Sequence, residues 1–296
     1  MIELVPVASD ATGRRDQQVR LLGPDDRVEL EALMARDERA NLFVRHRVAE
    51  TGLRSLMLGG TMLGCFRDGR LVAACHCGAN LVPVEADADA VDGFARQLLL
   101  TGVAPGMRRS ASLVGRQAAV MRLWSRLEQD WGPARSVRAD QPFLAIDDEP
   151  AVAPDPRLRR VMIDEVDVLY PASVAMFREE VGIDPEAGGG AGYRARVAQL
   201  VARGWAFAII EDGEVLFKTE VGAAADGVCQ LQGVWVHPDH RGRGIAAPAL
   251  AGVVRLVQRD VASDVTLYVN DFNTAARATY ARVGLRQVDT FASILL

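Results

Sequence analysis

Apolar positions along the chain fall into short alternating runs closed by turn signals, interleaved with longer stretches of helical spacing. In "CFRDGRLVAAC" two apolar runs flank Asp68-Gly69, and in "AIIEDGEVLFKTEVG" they flank Asp212-Gly213. Asp-Gly between alternating segments predicts a tight β-hairpin in both places. Downstream of each, a short buried run leads into a helical pattern ending near glycine: "ASLVGRQAAVMRLWSRLEQDWG" and "VTLYVNDFNTAARATYARVGL". Each half then closes on strand-like residues, "QPFLAI" in the first and "DTFASILL" in the second. Three matched features in one order predict two copies of a single unit. The expected class is α/β in the broad sense (α+β), each domain a mixed, mostly antiparallel sheet flanked by helices. The prolines and acids of "DDEPAVAPDPRLRR" read as a stiff connector. The expected domains are therefore 1–150 and 158–296, joined through a Pro-rich linker at 147–157.

Composition narrows the function classes. At 296 residues, 49% hydrophobic and 25% charged, the chain has enough apolar material for two cores. A net charge of -5 argues against a broad nucleic-acid surface. No unbroken apolar stretch is long enough to span a bilayer, and "MIELVPVASDATGRRDQQ" lacks the form of a secretory signal. The expectation is a cytoplasmic protein with neither nucleic acid nor membrane as partner. Four cysteines are too few to staple a chain of this size. In "AACHCGAN", Cys75 and Cys77 share one strand face and His76 takes the other, so with Cys65 they read as small residues of buried strands, and no metal site is expected.

The most informative stretch is "VWVHPDHRGRGIAAPAL", Val234 to Leu250. Residues 228–236 read as a strand, and Leu250, Val253, Val254 and Val257 recur at helical spacing. Pro248 belongs in a first helical turn, which bounds the helix start between Gly244 and Ala247. The loop thus delivers a strand end into a helix N-terminus, where orphan amides and the dipole make a seat for an anion. Glycines let the backbone approach such a ligand without a Cβ in the way. The first copy has "NLVPVEADADAVDGFARQLLL" here. Glu85, Asp87, Asp89 and Asp92 suit a helix dipole but repel phosphate, so that copy is not expected to hold an anionic cofactor. Gly242-x-Gly244-x-x-Ala247 also fits a relaxed dinucleotide fingerprint, but the preceding strand follows a hairpin and the acid after "VTLYV", Asp271, comes late. Nicotinamide chemistry is the weaker reading.

"RGRGIA" matches the pattern R/Q-x-x-G-x-G/A through Arg241, Gly244 and Ala246, and "LYVNDFNTAARATYARVGL" supplies Asn273, Tyr280 and Gly284 in matching places. In these two segments the chain resembles the GCN5-related N-acetyltransferases (GNAT superfamily), over about residues 158–296. The first half resembles a degenerate copy of the same fold, and the whole is similar to an actinobacterial-type subgroup in which an uncharacterised domain comes first. The resemblance implies acetyl-CoA (coenzyme A) as donor, a small-molecule or peptide amine as acceptor, and direct attack in a ternary complex. It further implies that backbone N–H groups of Arg241, Gly242, Arg243, Gly244, Ile245 and Ala246 hold the pyrophosphate. The strand end Val234, Trp235, Val236 would pair with the pantetheine arm, the Val236 N–H stabilising the oxyanion.

Tyr280 by spacing alone is a core tyrosine on the Ala276–Val283 stripe; the resemblance makes it the general acid for the departing thiolate. Asn273 alone is a helix N-cap, and the resemblance adds a cofactor contact. Relatives often place a glutamate on the strand before the loop, where this chain has Gln230 and Gln232, neither able to take a proton. Glu220, in "FKTEVG", is the carboxylate expected to act through water. The glutamines also support an alternative, a domain that binds coenzyme A without catalysis. His237 and His240 border the loop and carry no catalytic assignment. The acceptor cleft is expected in "MFREEVGIDPEAGGGAGYRARVAQLVARG", with Glu179, Glu180, Asp184 and Glu186 drawing a cationic amine and Gly188–Gly190 forming a flap.

Overall fold

The computed structural model describes residues 17–100 and 110–296. Residues 1–16, most of the N-terminal segment read above for a secretory signal, lie outside that set. The chain divides into two compact units, one running to Pro142 and including Asp289–Leu296, the other Phe143–Val288. Among the described residues, no helix is long and apolar enough to cross a membrane.

Unit 1 contains β1 (Gln17–Leu21), α1 (Arg27–Met34), α2 (Leu42–Thr51), α3 (Ser55–Leu58), β2 (Gly60–Arg67), β3 (Arg70–Gly78), β4 (Asn80–Val84), α4 (Ala88–Leu100), β5 (Ser112–Arg116), α5 (Gln117–Trp131) and the first part of β6 (Ser136–Ile146). The predicted β2–β3 hairpin is present, with Asp68 at φ 51 and Gly69 at φ 73, the left-handed pair its two-residue turn requires. Strands β1 to β4 pair antiparallel in sequence order, and β4 and β5 pair parallel, at Asn80–Ser112 and Leu81–Leu113. Cys65 and Cys75 lie in the buried core, Cys77 is half-buried against it, and His76 on the opposite face is held by the Asn80 carbonyl at 3.1 Å.

Unit 2 contains β7 (Arg159–Arg160), α6 (Val166–Val181), α7 (Ala191–Ala202), β8 (Ala206–Glu211), β9 (Glu214–Ala225), β10 (Val228–Val236), α8 (Ala246–Asp260), β11 (Asp264–Tyr268), α9 (Thr274–Val283) and the start of β12 (Arg286–Leu295). The order β7-β8-β9-β10 is antiparallel, including the predicted hairpin at Asp212-Gly213, and β11 joins β10 in parallel. Helix α8 buries Leu250, Val253, Val254 and Val257 on the stripe the sequence predicts. One sheet face packs on α8 and α9; the other carries Trp235, Met176 and the α6–α7 pair.

The closing strands depart from the sequence reading. The end of "QPFLAI" pairs with β11, and its Leu144 and Ile146 belong to the core of unit 2. Conversely "DTFASILL" pairs with β5, and its Ala292 and Ile294 complete the core of unit 1. The chain thus passes between units within β6 and within β12, and residues 147–157 fall inside unit 2. Pattern shows that a run wants burial on a sheet; it does not name the neighbouring strand, which is a long-range choice.

Two ion pairs set an acid limb. The Arg67 guanidinium grips Asp87 at 2.6 Å through both nitrogens and holds its carboxyl from 3.8 down to about 2. Arg159, with help from the Met162 N–H, does the same for Glu165, from 4.5 to about 2. Folded values below unfolded ones contribute stability that is present above the ordinary carboxylate range and lost as pH falls towards 2. Urea midpoints should therefore drop chiefly between 4.5 and about 2, and Glu165→Gln should flatten part of that limb in unfolding followed by far-UV dichroism.

Candidate functional site

The site begins where a ladder stops. Strands β10 and β11 pair in parallel only at Val228–Asp264, Cys229–Val265 and Gln230–Thr266, yet β10 continues to Val236. Its pairing with β9 is broken between Gln230 and Leu231 and again between Gln232 and Trp235. The second irregularity holds Gly233 at φ +60, where a Cβ would meet Met176 Cε at 2.8 Å and Lys218 Nζ at 3.1 Å. A bulge of this kind bends and twists the strand away from its neighbour. Beyond it the His237 N–H donates to Leu216 O on the β9 side at 2.9 Å. Successive amides alternate edges, so the Val236 N–H points to the opposite side, into the gap beside β11.

The chain then turns through a short 3-10 segment, Pro238–His240, into an exposed loop and α8. Gly242 (φ +75) and Gly244 (φ +80) take left-handed conformations, and an added Cβ on either would meet nothing within 4 Å. These glycines are therefore needed for backbone shape, leaving open space over the loop. Among the described residues, no acceptor meets the main-chain N–H groups from Gly242 to Ala247, and α8 starts at Ala246 with no side-chain cap on Ile245. An accessible helix start with a run of unmet donors is an anion seat. The Arg243 side chain is exposed and forms no ion pair among the described residues. Arg241 is tied instead: Nη2 contacts Glu179 Oε2 at 2.7 Å and Nε donates to Val236 O at 3.1 Å.

Glu179 lies in the last turn of α6, and its other oxygen accepts from Trp235 Nε1 at 3.2 Å. Trp235 faces the α6–α7 side, while Val234 and Val236 pack on the α8 side. Beneath the bulge, Lys218 is fully buried and donates to Glu220 Oε2 at 2.7 Å. Glu220 stands opposite Gln232 in register and accepts from its Nε2 at 3.2 Å. Both Glu220 oxygens are thus engaged. Tyr280, on α9, is 6% exposed and has no hydrogen-bond partner among the described residues. Burial, then the Glu180 carboxylate, raise its phenol above the ordinary value. Asn273 caps α9, accepting from the Ala276 N–H at 3.1 Å. His237 and His240 both approach Glu214, at 3.2 and 3.7 Å.

The structure places the loop, the strand end and Tyr280 in unit 2 on the elements the sequence predicts for them, and adds Lys218, which the sequence reading did not single out. Its signal was the Glu220 two residues on, which shares its strand face. Of the expected acceptor-side acids, Asp184 and Glu186 share Arg178 at 2.9 and 3.0 Å.

The corresponding corner of unit 1 carries carboxylates in place of the glycine loop. After β4, Glu85 accepts from Asn41 Nδ2 and from Arg116 Nη1, each at 3.0 Å. Arg116 also contacts Asp37, and Asp289 at 2.9 Å. Asp87 caps the Ala90 N–H, and Asp92 holds Arg122 and Arg126. A small cavity remains at this corner, lined by Asn41, Pro83, Glu85, Asp87 and Arg116, so it differs from the corner of unit 2 in its carboxylates and its capped helix start rather than in being filled.

Residues 198–285 match the family described as "Acetyltransferase (GNAT) family", and residues 60–169 match a domain of unknown function (DUF4081). No curated protein matches the sequence. Among solved structures, the chain is similar to a GNAT-family acetyltransferase from Colwellia psychrerythraea (12% identity, 94% of this chain and 99% of that one, TM-score 0.56). It is also similar to a GCN5-related N-acetyltransferase from Sphaerobacter thermophilus (19%, 94% of each chain, TM-score 0.57). A third is a tandem GNAT protein from the clavulanic acid biosynthesis pathway (15%, 95% and 98%, TM-score 0.51). At these identities the likeness is one of fold.

Lys218→Met should leave Glu220 buried without its cation and destabilise unit 2 by about 3–5 kcal/mol. Lys218→Met combined with Glu220→Gln should recover most of that loss, a coupling readable in urea unfolding of the two single variants and the double.

Proposed function

We propose that this chain, whose residues 198–285 match the GNAT acetyltransferase family, moves an acetyl group from acetyl-CoA to a primary amine by direct attack in a ternary complex. The observation that carries the reading is the run of unmet main-chain donors from Gly242 to Ala247 beside the gap between β10 and β11. A diphosphate supplies acceptor oxygens at the spacing of such a turn. The Gly242–Ala246 backbone would hold it, with Arg243 adding charge from its exposed position; the Arg241 N–H, expected from the sequence to join them, is spent instead on the Pro238 carbonyl at 3.2 Å, which closes the short 3-10 turn. The pantetheine arm would lie along Val234–Val236 as an added strand, and Asn273 would contact it from the start of α9.

The chemistry follows from that placement. The amine lone pair attacks the thioester carbonyl carbon, and the Val236 N–H, aimed into the gap, stabilises the oxyanion. The C–S bond then breaks, and the thiolate takes the Tyr280 proton. A phenol raised by burial keeps its proton until a strong base appears beside it, and an unpartnered hydroxyl on a nine-tenths buried tyrosine is suited to a ligand sulfur. Glu220, gripped by Lys218 and Gln232, serves in this reading to hold the bulge that opens the gap. Unit 1, its corner lined by Glu85 and Asp87 and its α4 start capped by Asp87, would bind no coenzyme. The alternative of binding without catalysis draws on Gln230 and Gln232, and the acceptor is a small molecule or peptide bearing an amine.

Acetyl-CoA should raise the melting temperature of the wild-type chain, by an amount equivalent to about 2.7 kcal/mol at a hundredfold excess over Kd. Gly244→Asp should abolish that shift, and NAD should produce none. Tyr280→Phe should keep the shift while lowering turnover about 10²-fold in thiol release with primary amines. An undiminished shift in Gly244→Asp would move the diphosphate away from this corner; a shift with no transfer to any amine would favour the binding-only alternative.

A further inference from the structure

We infer that unit 1 holds a small primary ammonium where β4 and β5 part. The site stands whether or not unit 2 transfers acetyl. The two strands pair only at Asn80–Ser112 and Leu81–Leu113, yet β4 runs on to Val84 and β5 to Arg116. At their ends lies a cavity of about 230 Å³, bordered by Asn41, Pro83, Glu85, Asp87 and Arg116. That is room for several waters at about 30 Å³ each, but less than the roughly 300 Å³ at which drug-sized sites begin. The occupant it fits is small.

The polarity of the cavity is set by what the surrounding groups leave unspent. Arg116 gives Nη1 to Glu85 at 3.0 Å, Nε to Asp289 at 2.9 Å and Nη2 to Asp37. Each of its nitrogens is turned on a carboxylate, and three negative charges stand against one positive. Asp87 has its charge met by Arg67. An anion would meet excess negative charge here, and a cation offsets it. Independently of charge, Asn41 points the same way. It is 3% exposed and lines the cavity. Its Nδ2 donates to Met34 O at 3.2 Å and to Glu85 Oε1 at 3.0 Å, a carbonyl and a carboxylate, which fixes the orientation of the amide. Its Oδ1 meets no donor among the described residues yet keeps access to solvent, which at this position is the cavity. An amide oxygen in so buried a residue calls for a donor. Glu85 meets its protein partners through Oε1 alone, so Oε2 is a second open acceptor.

Chemistry selects the ligand. A metal ion would sit against the Arg116 charge, and among the described residues no group of three carboxylate, histidine or cysteine side chains is arranged to hold one. A guanidinium is held best by both oxygens of one carboxylate, and Glu85 Oε1 already accepts two bonds. A primary ammonium carries three donors on one compact nitrogen, so it can meet Oε2 and Oδ1 together while Glu85 balances its charge. Pro83 and Ala119 offer an apolar wall to a short alkyl chain.

The test uses the full chain with chloride salts of methylammonium, propylammonium and tetramethylammonium at constant ionic strength. Melting temperature is followed against concentration, and the fold by far-UV dichroism. The two primary ammoniums should raise the wild-type melting temperature along a saturating curve; tetramethylammonium, which has no N–H, should not. Glu85 stands at φ 48, a left-handed conformation that glycine adopts freely, so Glu85→Gly removes the carboxylate without opposing the backbone. It should keep the far-UV spectrum and weaken the ammonium about tenfold or more, the loss of one charged hydrogen bond. Glu85→Gln, which keeps an oxygen for Asn41 and Arg116, should weaken it in the same direction. Gly244→Asp, in the loop of unit 2, should leave the response intact. No saturating rise in wild type, an equal rise with tetramethylammonium, or an undiminished rise in the folded Glu85 variants would overturn the inference. A response lost in Gly244→Asp would overturn it as well, assigning the ammonium to unit 2.

Discussion

The feature on which unit 2 turns is a consecutive set of main-chain donors that no group of the protein meets, at the exposed loop where the chain passes from β10 into α8. Everything nearby keeps those donors open. Gly233 bends β10 at the bulge, the parallel ladder with β11 ends at Gln230, and Gly242 and Gly244 shape a loop no side chain fills. Lys218 and Glu220 lie beneath the bend as a buried ion pair, whose desolvation cost is offset by their mutual contact and by Gln232. Arg241 is anchored to Glu179 by its guanidinium and to the Pro238 carbonyl by its N–H, which fixes the start of the loop against α6.

The two units show one route through a fold carrying opposite charge logic. Both lead a strand that has just left its parallel neighbour into a helix. In unit 1 Glu85, Asp37 and Asp289 converge on Arg116 at this corner, and Asp87 caps α4. In unit 2 no carboxylate caps α8. A side-chain oxygen at a helix start and an external phosphate compete for the same amides, so a capped corner and an anion seat exclude each other.

Much of this was legible because it is local. Asp-Gly fixes a hairpin by its own backbone preference, and Leu250, Val253, Val254 and Val257 mark the buried stripe of α8 by spacing alone. The loop glycines announce a positive φ, and the positions of Tyr280 and Asn273 follow from helix phase. The rest depended on partners distant in sequence. Nothing in "QPFLAI" says that its end pairs with β11, and nothing in "VLFKTEVG" says that Lys218 points inward to Glu220. The exchange of closing strands and the burial of an ammonium are choices among pairings, each locally as acceptable as its alternative.

The exchanged strands also bear on how the chain acquires its structure. Ala292 and Ile294 fill the core of the first unit, yet on the ribosome they emerge after the whole of the second. The earlier unit must wait, one strand short and with an open sheet edge beside β5, until the later one has been made. Vectorial folding, one module finished before the next begins, is thereby closed to this sequence, and its two halves are committed to maturing together.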